Sequence, residues 1–441
     1  MGGLAIIARQ LGYQVTGTDS NVYPPMSTQL QQAGILLHEG YDTAQLKPTP
    51  DLVVVGNALS RGNPSVEYML DTGIAYVSGP QFIADTCLAQ RWVLAVSGTH
   101  GKTTVASMLA WILHCAGLEP GYLIGGVPLD LGLSASVGRQ PYFVIEADEY
   151  DTAFFDKRSK FVHYRPRTLV INNLEYDHSD IFPDLAAIER QFHHLLRTVP
   201  SSGRIIRPRE ASSIDRVQGM GCWTPINVIG TEDSDDWCYR GLNEECSEFE
   251  VWRGNQRAEI NWRLWGEHNA QNACAAIAAA AHAGVDLNVA CAAISKFTGV
   301  RRRLELRRLV GGVSVYDDFA HHPTAIEASI RALRARVHSN RIIAVLEPRS
   351  NTMRLGVHAE KLCSALRSAD QVLLLEPPGL PWSLERATAE LADRRQIYQS
   401  NTALLDALSN SVKRSDHVLI MSNGSFDDLH DKLIERISAQ K

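Results

Sequence analysis

Seven residues, Gly98-Thr-His-Gly-Lys-Thr-Thr104, carry the densest chemistry in this chain. They follow an apolar run, Trp92 to Val96, that reads as a buried strand. They precede Ala106, Met108, Leu109, Ile112 and Leu113, which recur at helical spacing. Strand, glycine turn and helix in that order make a cradle for phosphate. Backbone N–H groups of the turn and of the first helical turn point at the anion, and the helix dipole favours negative charge there. In this reading Gly98, Thr99, His100, Gly101 and Thr104 surround the phosphates, Lys102 reaches the β- and γ-phosphates, and the Thr103 hydroxyl ligates Mg²⁺. The ligand class is a magnesium-bound nucleoside triphosphate. The general phosphate-loop pattern has a further glycine where this chain has Val96, so the loop is a shortened variant. The plain alternative is a glycine turn that only joins a strand to a helix.

Phosphoryl chemistry needs Mg²⁺, and Mg²⁺ needs oxygen ligands. Glu146 closes the apolar strand Tyr142-Phe-Val-Ile-Glu146, and it faces the cradle if the two strands are parallel neighbours. Of Asp148, Glu149 and Asp151, which follow it, some are expected only to solvate the loop. The strand Thr168–Asn172 leads into Asn173-Leu-Glu-Tyr-Asp177-His178, placed one strand away from Glu146 and just past a sheet edge. There Asp177 and His178 could hold or orient a second metal. Lys102, Glu146, His178 and Arg302 form the candidate catalytic set.

Further along, Asn269 and Asn272 lie one turn apart on a helix face, suited either to an adenine edge or to capping the helix; both readings stay open. Arg302 and Arg303 suit a γ-phosphate. Asp317 ends a strand where an acid suits a ribose hydroxyl, and Arg349 and Arg354 follow the next strand, where they suit substrate carboxylates. Asp19, Asn57 and His322, each at the carboxyl end of a strand, complete the substrate-binding candidates.

These groups need a frame. With 441 residues the chain is expected to fold as several domains, and 45% hydrophobic with 21% charged residues excludes a disordered chain. The pattern alternates β and α throughout. Residues 1–90 carry strands at Tyr13–Asp19, Asp51–Asn57 and Ala75–Ser78 with helices at Pro25–Ala33 and Pro64–Asp71. Residues 91–298 carry the cradle, antiparallel hairpins between Trp237 and Trp265, and an alanine-rich helix over His268–Ala283. Residues 299–441 return to β/α alternation, with strands at Val313–Phe319, Arg341–Glu347, Gln371–Leu375 and His417–Ser422. Helices lie at Pro323–Val337, Val357–Arg367, Ser383–Arg394 and Thr402–Val412. The fold class is α/β in three domains: a Rossmann-like N-terminal domain, a phosphate-loop central sheet with appended antiparallel strands, and a Rossmann-like C-terminal domain. Gly2-Gly3 runs directly into a helix, so the chain is expected to begin inside a glycine turn, with about ten residues of a strand and turn upstream.

Net charge is −6 with no basic block, which argues against nucleic acid, and no apolar run spans a bilayer, which argues against a membrane partner. Eight scattered cysteines without a C-x-x-C pair, and no signal peptide, fit the reducing cytoplasm. Oligomeric state is not readable.

Taken in order, Gly98–Thr104, Glu146-Ala-Asp-Glu149, Asn173–His178, Gly266-Glu-His-Asn-Ala-Gln-Asn272, Arg302-Arg303 and Asp317–Pro323 resemble the Mur ligase family, the ATP-dependent amide-bond formers of peptidoglycan synthesis. The segments Asn21–Ser27, Asp148–Tyr164 and Leu346–Met353 resemble the branch that joins the murein tripeptide L-alanyl-γ-D-glutamyl-meso-diaminopimelate to UDP-N-acetylmuramate in cell-wall recycling. The resemblance implies that the sugar nucleotide binds the N-terminal domain, ATP and Mg²⁺ the central one, and the peptide the C-terminal one. It implies an acyl phosphate on the lactyl carboxylate, captured by the peptide amine. It assigns Lys102 to phosphate, Thr103 and Glu146 to one Mg²⁺ and His178 to a second. It gives Asn269 and Asn272 to adenine, Arg302 to the γ-phosphate and Asp317 to the ribose. Several family members carry a carbamylated lysine where this chain has His193, a place that also lacks lysine in the alanine-adding branch. The rival readings are that UDP-N-acetylmuramate–L-alanine ligase and an ATP-binding homologue that has lost catalysis.

Overall fold

The computed structural model describes residues 1–22 and 26–439. The chain divides into two compact units. The first comprises Met1–Glu175, Ala186–Trp237 and Cys274–Ile294, and the second Tyr176–Leu185, Cys238–Ala273 and the chain from Ser295 onward.

The first unit opens with the helix Gly2–Gln10, then two separate parallel pairs. Thr16–Asp19 pairs with Leu36–Glu39, and Val53–Val55 with Tyr76–Ser78. Each pair has its own small core, Ile6, Leu30 and Ile35 for one and Val55, Met69 and Ile74 for the other. Leu36–Glu39 was not legible in the sequence: it is four residues long and Leu36 is exposed, so no apolar run marks it. The first expected helix is Met26–Gln32; its expected start at Pro25 lies outside the described residues. The second, Pro64–Asp71, falls where expected. Asn63 caps it, accepting from the Ser65 and Val66 N–H groups, and Pro64 occupies the first turn.

The larger sheet of this unit runs Ile226–Gly230, Arg204–Pro208, Thr168–Ile171, Trp92–Ser97, Arg139–Glu146, Pro120–Leu123, Ala135–Ser136. All of these pairings are parallel except the last. Strands buried on both faces are apolar end to end, as in Val93–Val96 and Leu169–Ile171. The helix Lys102–Cys115 is buried almost all round, and Trp111 Nε1 donates to the Ala293 carbonyl at 2.9 Å beside the helix Leu287–Ile294. The sheet order corrects one expectation. The strand leading to Asn173 is not next to that of Glu146; the loop strand lies between them, with Val96 registered to Glu146 on one side and to Val170 on the other. A hairpin, Asp151–Ala153 with Asp156–Ser159, follows the acidic stretch and was not expected. At its tip Phe154 packs on the Val55–Met69–Ile74 core and Phe155 meets Tyr76 edge-on at 4.9 Å.

In the second unit the expected hairpins are Trp237–Gly241, Glu248–Arg253 and Gln256–Asn261, antiparallel in turn. The alanine-rich helix Glu267–His282 begins here and ends in the first unit. A six-stranded sheet runs Glu305–Val310, Val313–Asp318, His417–Met421, Ile342–Leu346, Gln371–Leu375, Arg395–Tyr398, antiparallel in its first pair and parallel elsewhere. Strand alternation serves two cores: Ile342, Ala344 and Leu346 join one, Ile343 and Val345 the other. The expected helix Ser383–Arg394 is two pieces, Leu384–Ala387 and a 3₁₀ segment Ala389–Arg394. Ala392 breaks the turn at φ 48°, and the short strand Arg395–Tyr398 follows. No helix among the described residues is long and apolar enough to cross a membrane.

Candidate active site

The glycine loop is held by the end of the adjacent strand. Gly98 has φ +132°, and a Cβ there would stand 3.0 Å from the Asn173 carbonyl oxygen, so only glycine lets the two segments approach. Gly101, at φ +76°, opens the helix in a left-handed conformation. His100 is gripped from both sides of its peptide. Its N–H donates to Asn173 Oδ1 at 2.7 Å, and its carbonyl accepts from Asn172 Nδ2 at 3.1 Å and Asn173 Nδ2 at 3.0 Å. Thr99 Oγ1 accepts from the Glu175 N–H at 2.8 Å. One N–H that the motif would aim at phosphate is therefore bound to Asn173, and the two asparagines, read from sequence only as a flank, fix the loop.

Glu146 faces this loop, as the parallel register requires. The Thr103 hydroxyl donates to Glu146 Oε1 at 2.9 Å, and the Gly125 N–H donates to Oε2 at 2.6 Å. A Cβ on Gly125 would lie 2.9 Å from that same Oε2. A hydroxyl and a carboxylate at this spacing are hard oxygen donors that can share one coordination sphere, so the pair fits Mg²⁺. Lys102 Nζ lies 3.0 Å from Glu149 and 3.7 Å from Asp148. Burial pulls its ammonium down, but Glu149, Asp148 and Glu146 more than reverse this and hold it above an ordinary lysine. Glu149 is 1% exposed, and Asp151 pairs with Lys157 at 2.6 Å. The acids after Glu146 are thus not loop solvation, which corrects that expectation. Asp148 is shared: Lys160 Nζ lies 3.8 Å from its other oxygen and 3.9 Å from the Tyr150 ring centroid. Asp148, then burial, push the Tyr150 phenol far above its usual range.

In the second unit Asp177 is the anchor. Its Oδ1 accepts from Thr352 Oγ1 at 2.7 Å and from the His178 N–H at 2.8 Å, and His321 Nε2 stands 3.9 Å from Oδ2. Burial pushes this carboxyl up, but His178, Thr352 and His321 outweigh it and hold Asp177 well below the carboxylate range. Asn351 Nδ2 donates to Asp180 at 2.8 Å. These groups border a pocket of about 320 Å³ lined by Asp177, His178, Asp180, His321, Arg349 and Asn351, among others. The Arg349 side chain is 52% exposed, with the Glu347 carboxylate 3.8 Å away. Arg354, on the last turn of the helix Asn351–Arg354, is exposed and does not line the pocket.

Other candidates have local partners. Arg302 adopts φ +60°, donates to the Ser422 carbonyl at 2.8 Å, and lies 3.4 Å from Asp317. Asp317 also meets His430 Nε2 at 3.2 Å. Burial would raise it, but His430 and Arg302 hold it below the usual range. Asn269 Nδ2 donates to the Trp265 carbonyl at 2.8 Å, so it is not acting as an N-cap; Asn272 is buried three residues on. His322 is 2% exposed and caps Pro323–Val337 by accepting from the Thr324 N–H. Asp19 accepts from the Asn21 N–H, and Asn57 is exposed in the turn after Val53–Val55. His193 is buried and stacked on Trp223. The structure thus gathers Gly98–Thr104 with Glu146 in the first unit, His178 with Arg349 in the second, and Arg302 with Asp317 in the second.

Three family models cover most of the chain: the Mur ligase family catalytic domain over residues 1–91, the Mur ligase middle domain over 96–280, and the Mur ligase glutamate ligase domain over 302–424. The chain belongs to the Mur ligase family. It is 52% identical over 440 residues to the UDP-N-acetylmuramate–L-alanyl-γ-D-glutamyl-meso-2,6-diaminoheptandioate ligase of Escherichia coli, covering 99% of this chain and 96% of that one. It is similar to the crystal structure of a murein peptide ligase from Psychrobacter arcticus, with TM-score 0.78, 46% identity, and 99% and 96% of the two chains covered. A UDP-N-acetylmuramate–L-alanine ligase of Syntrophomonas wolfei is 30% identical over 453 residues, covering 99% and 94%.

Proposed function

We propose that this chain is an ATP-dependent ligase that joins UDP-N-acetylmuramate to the tripeptide L-alanyl-γ-D-glutamyl-meso-diaminopimelate. The observation that carries the proposal is the join at the loop: Lys102 at the helix start, with the Thr103 hydroxyl 2.9 Å from Glu146 across a parallel strand pair. Similarity to relatives with this activity over 99% of the chain supports the choice of substrates.

The lactyl carboxylate of the sugar attacks the γ-phosphorus of ATP, ADP departs, and an acyl phosphate remains. The α-amine of the peptide then attacks the acyl carbon. The amide C–N bond forms, phosphate leaves with the C–O electron pair, and the nitrogen loses its proton. Lys102, always charged, clamps the phosphates, and the loop N–H groups left to it orient them. Thr103 and Glu146 would hold Mg²⁺, with His178 as ligand to a second ion; such an ion neutralises charge on the transferred phosphoryl group. Arg302 reads phosphate, Asp317 ribose, and Asn269 and Asn272 the adenine. Residues 1–90, with Asp19 and Asn57, hold the sugar nucleotide; residues 91–298 hold ATP; residues 299–441 present the peptide, with Arg349 taking a carboxylate and Arg354 and His322 supporting that side. No disulfide joins the eight cysteines, which supports a cytoplasmic reaction.

The alanine-adding reaction is the second reading. Identity supports the tripeptide: 52% to the tripeptide-joining ligase of Escherichia coli against 30% to the alanine-adding ligase of Syntrophomonas wolfei. Purified protein is given ATP, Mg²⁺ and UDP-N-acetylmuramate, with either tripeptide or L-alanine. ADP release with tripeptide alone is the expected result; release with L-alanine alone overturns the assignment.

A further inference from the structure

Lys160 leaves the hairpin that follows the acidic stretch, and hydrogen bonds at it and at its neighbours in sequence hold the segment in place. Its N–H donates to the Tyr150 carbonyl at 3.1 Å, the preceding Ser159 hydroxyl donates to Gln191 at 3.1 Å, and His163, three residues on, meets Gln81 at 3.1 Å. The hairpin tip is seated by Phe154 on the core of the Val53–Val55 and Tyr76–Ser78 pair. The segment therefore spans from the region assigned to the sugar nucleotide to the acids beside the phosphate loop, all within one unit.

The ammonium is far less constrained than the backbone that delivers it. Its side chain is 17% exposed, yet its ion pair with Asp148 is 3.8 Å long, beyond hydrogen-bond distance. Among the described residues the ammonium makes no hydrogen bond, and the Tyr150 ring takes one face of the charge. Asp148 is divided between Lys160 and Lys102, at 3.8 and 3.7 Å, so the two cations bracket a single carboxylate. Burial pulls the ammonium below an ordinary lysine, and Asp148 and Asp151 restore only part of the loss. A cation so placed gains from a second, closer anion. Next to a bound triphosphate a sugar carboxylate is repelled, and a positive group on its side of the loop offsets that repulsion.

We propose that Lys160 receives the lactyl carboxylate of the sugar substrate and positions it for attack at the phosphate held by Lys102. This inference rests on the functional reading above and deepens it.

The test uses two ligands that differ in the lactyl group alone: UDP-N-acetylmuramate and UDP-N-acetylglucosamine. Binding of each is titrated calorimetrically to the full chain with Mg²⁺ and a non-hydrolysable ATP analogue, for the wild type, Lys160→Met and Lys160→Arg. The wild type is expected to prefer the acid. Lys160→Met is expected to lower that preference about tenfold, leave the affinity for UDP-N-acetylglucosamine unchanged, and raise the KM for UDP-N-acetylmuramate while sparing the KM for ATP. Lys160→Arg is expected to restore most of the preference. A Lys160→Met variant that keeps the wild-type preference overturns the inference. So does equal loss for both sugars, or an equal rise in the ATP KM, since either makes Lys160 a strut for the hairpin or the loop. If the wild type binds neither sugar, the functional reading fails first and the inference falls with it.

Discussion

At the phosphate loop, charges already face one another: Lys102 meets Glu149 at 3.0 Å in a setting where Glu149 is 1% exposed. At the pocket of the second unit, Arg349 is half exposed and Glu347 lies 3.8 Å away. In the proposed function the two sites would bind anions by different means. The loop presents a preorganised and buried set, in which the arriving triphosphate must draw Lys102 from an existing pair. The pocket offers a half-exposed guanidinium, 3.8 Å from Glu347, that would gain a closer partner when substrate arrives. The first arrangement favours rate, because charge is fixed where it develops. The second favours selection among amines, because binding rests on groups left unmatched by the wrong one.

That contrast makes its largest prediction at Lys102. Lys102→Ala should lower turnover about a thousandfold while far-UV circular dichroism stays near wild type, with a lower melting temperature because the buried Glu149 loses its pairing with Lys102. Ligation at a near-normal rate would remove the loop from the chemistry and break the comparison at its first term. Glu146→Gln keeps the shape but halves the oxygen set, and should cost about a hundredfold in kcat with a raised Mg²⁺ requirement in a metal titration. Arg349→Ala should raise the tripeptide KM about tenfold to fiftyfold, the worth of one charged hydrogen-bonded pair, with the ATP KM unchanged. Equal effects on both would make Arg349 part of the nucleotide site, and the two regions would no longer differ in kind.

The smallest effect concerns stability. His282 lies 2.8 Å from Thr168 Oγ1 and edge-on to Trp92. Burial, with Arg204 and Arg167, pulls its pKa from 6.5 to about 4. Its folded-state pKa is depressed, so the stability it contributes is present above pH 6.5 and is lost as the pH falls towards 4. Discounted for its partial exposure, the loss is on the order of 2 kcal/mol. Thermal melts of the wild type should slope downward through that window, and His282→Gln should flatten them. Parallel slopes would assign the acid lability to other groups.

The sequence made the first site readable because its parts are contiguous or lie at strand ends. Gly98–Thr104 is one unbroken motif, and Glu146 follows from the rule that parallel strands carry their working residues at the carboxyl end. What was not readable needed the third dimension. Asn173 grips His100 from a different strand, Glu149 reaches Lys102 across 47 positions, and Thr352 meets Asp177 across 175. The misplacement of the Asn173 strand has the same origin, since strand order in a doubly wound sheet is not the order in sequence. The strand Arg395–Tyr398 escaped for lack of length and contrast, whereas the final helix Leu429–Ala439 carries Leu429, Leu433, Ile434 and Ile437 at helical spacing and was legible but passed over.

Gly125 holds the Glu146 carboxylate through its N–H at 2.6 Å and so sets the room around that carboxylate. Its φ lies outside the left-handed region, so backbone geometry would tolerate alanine there; only the Glu146 carboxylate, 2.9 Å from the added methyl carbon, objects. If Glu146 holds Mg²⁺ as proposed, glycine at this point works as a gauge for ionic radius. A methyl group would tilt the carboxylate and loosen the shell, and the small, strictly octahedral magnesium ion tolerates that less than manganese does. Gly125→Ala should therefore raise the ratio of manganese-supported to magnesium-supported turnover, so that the choice of metal is governed from a residue with no side chain.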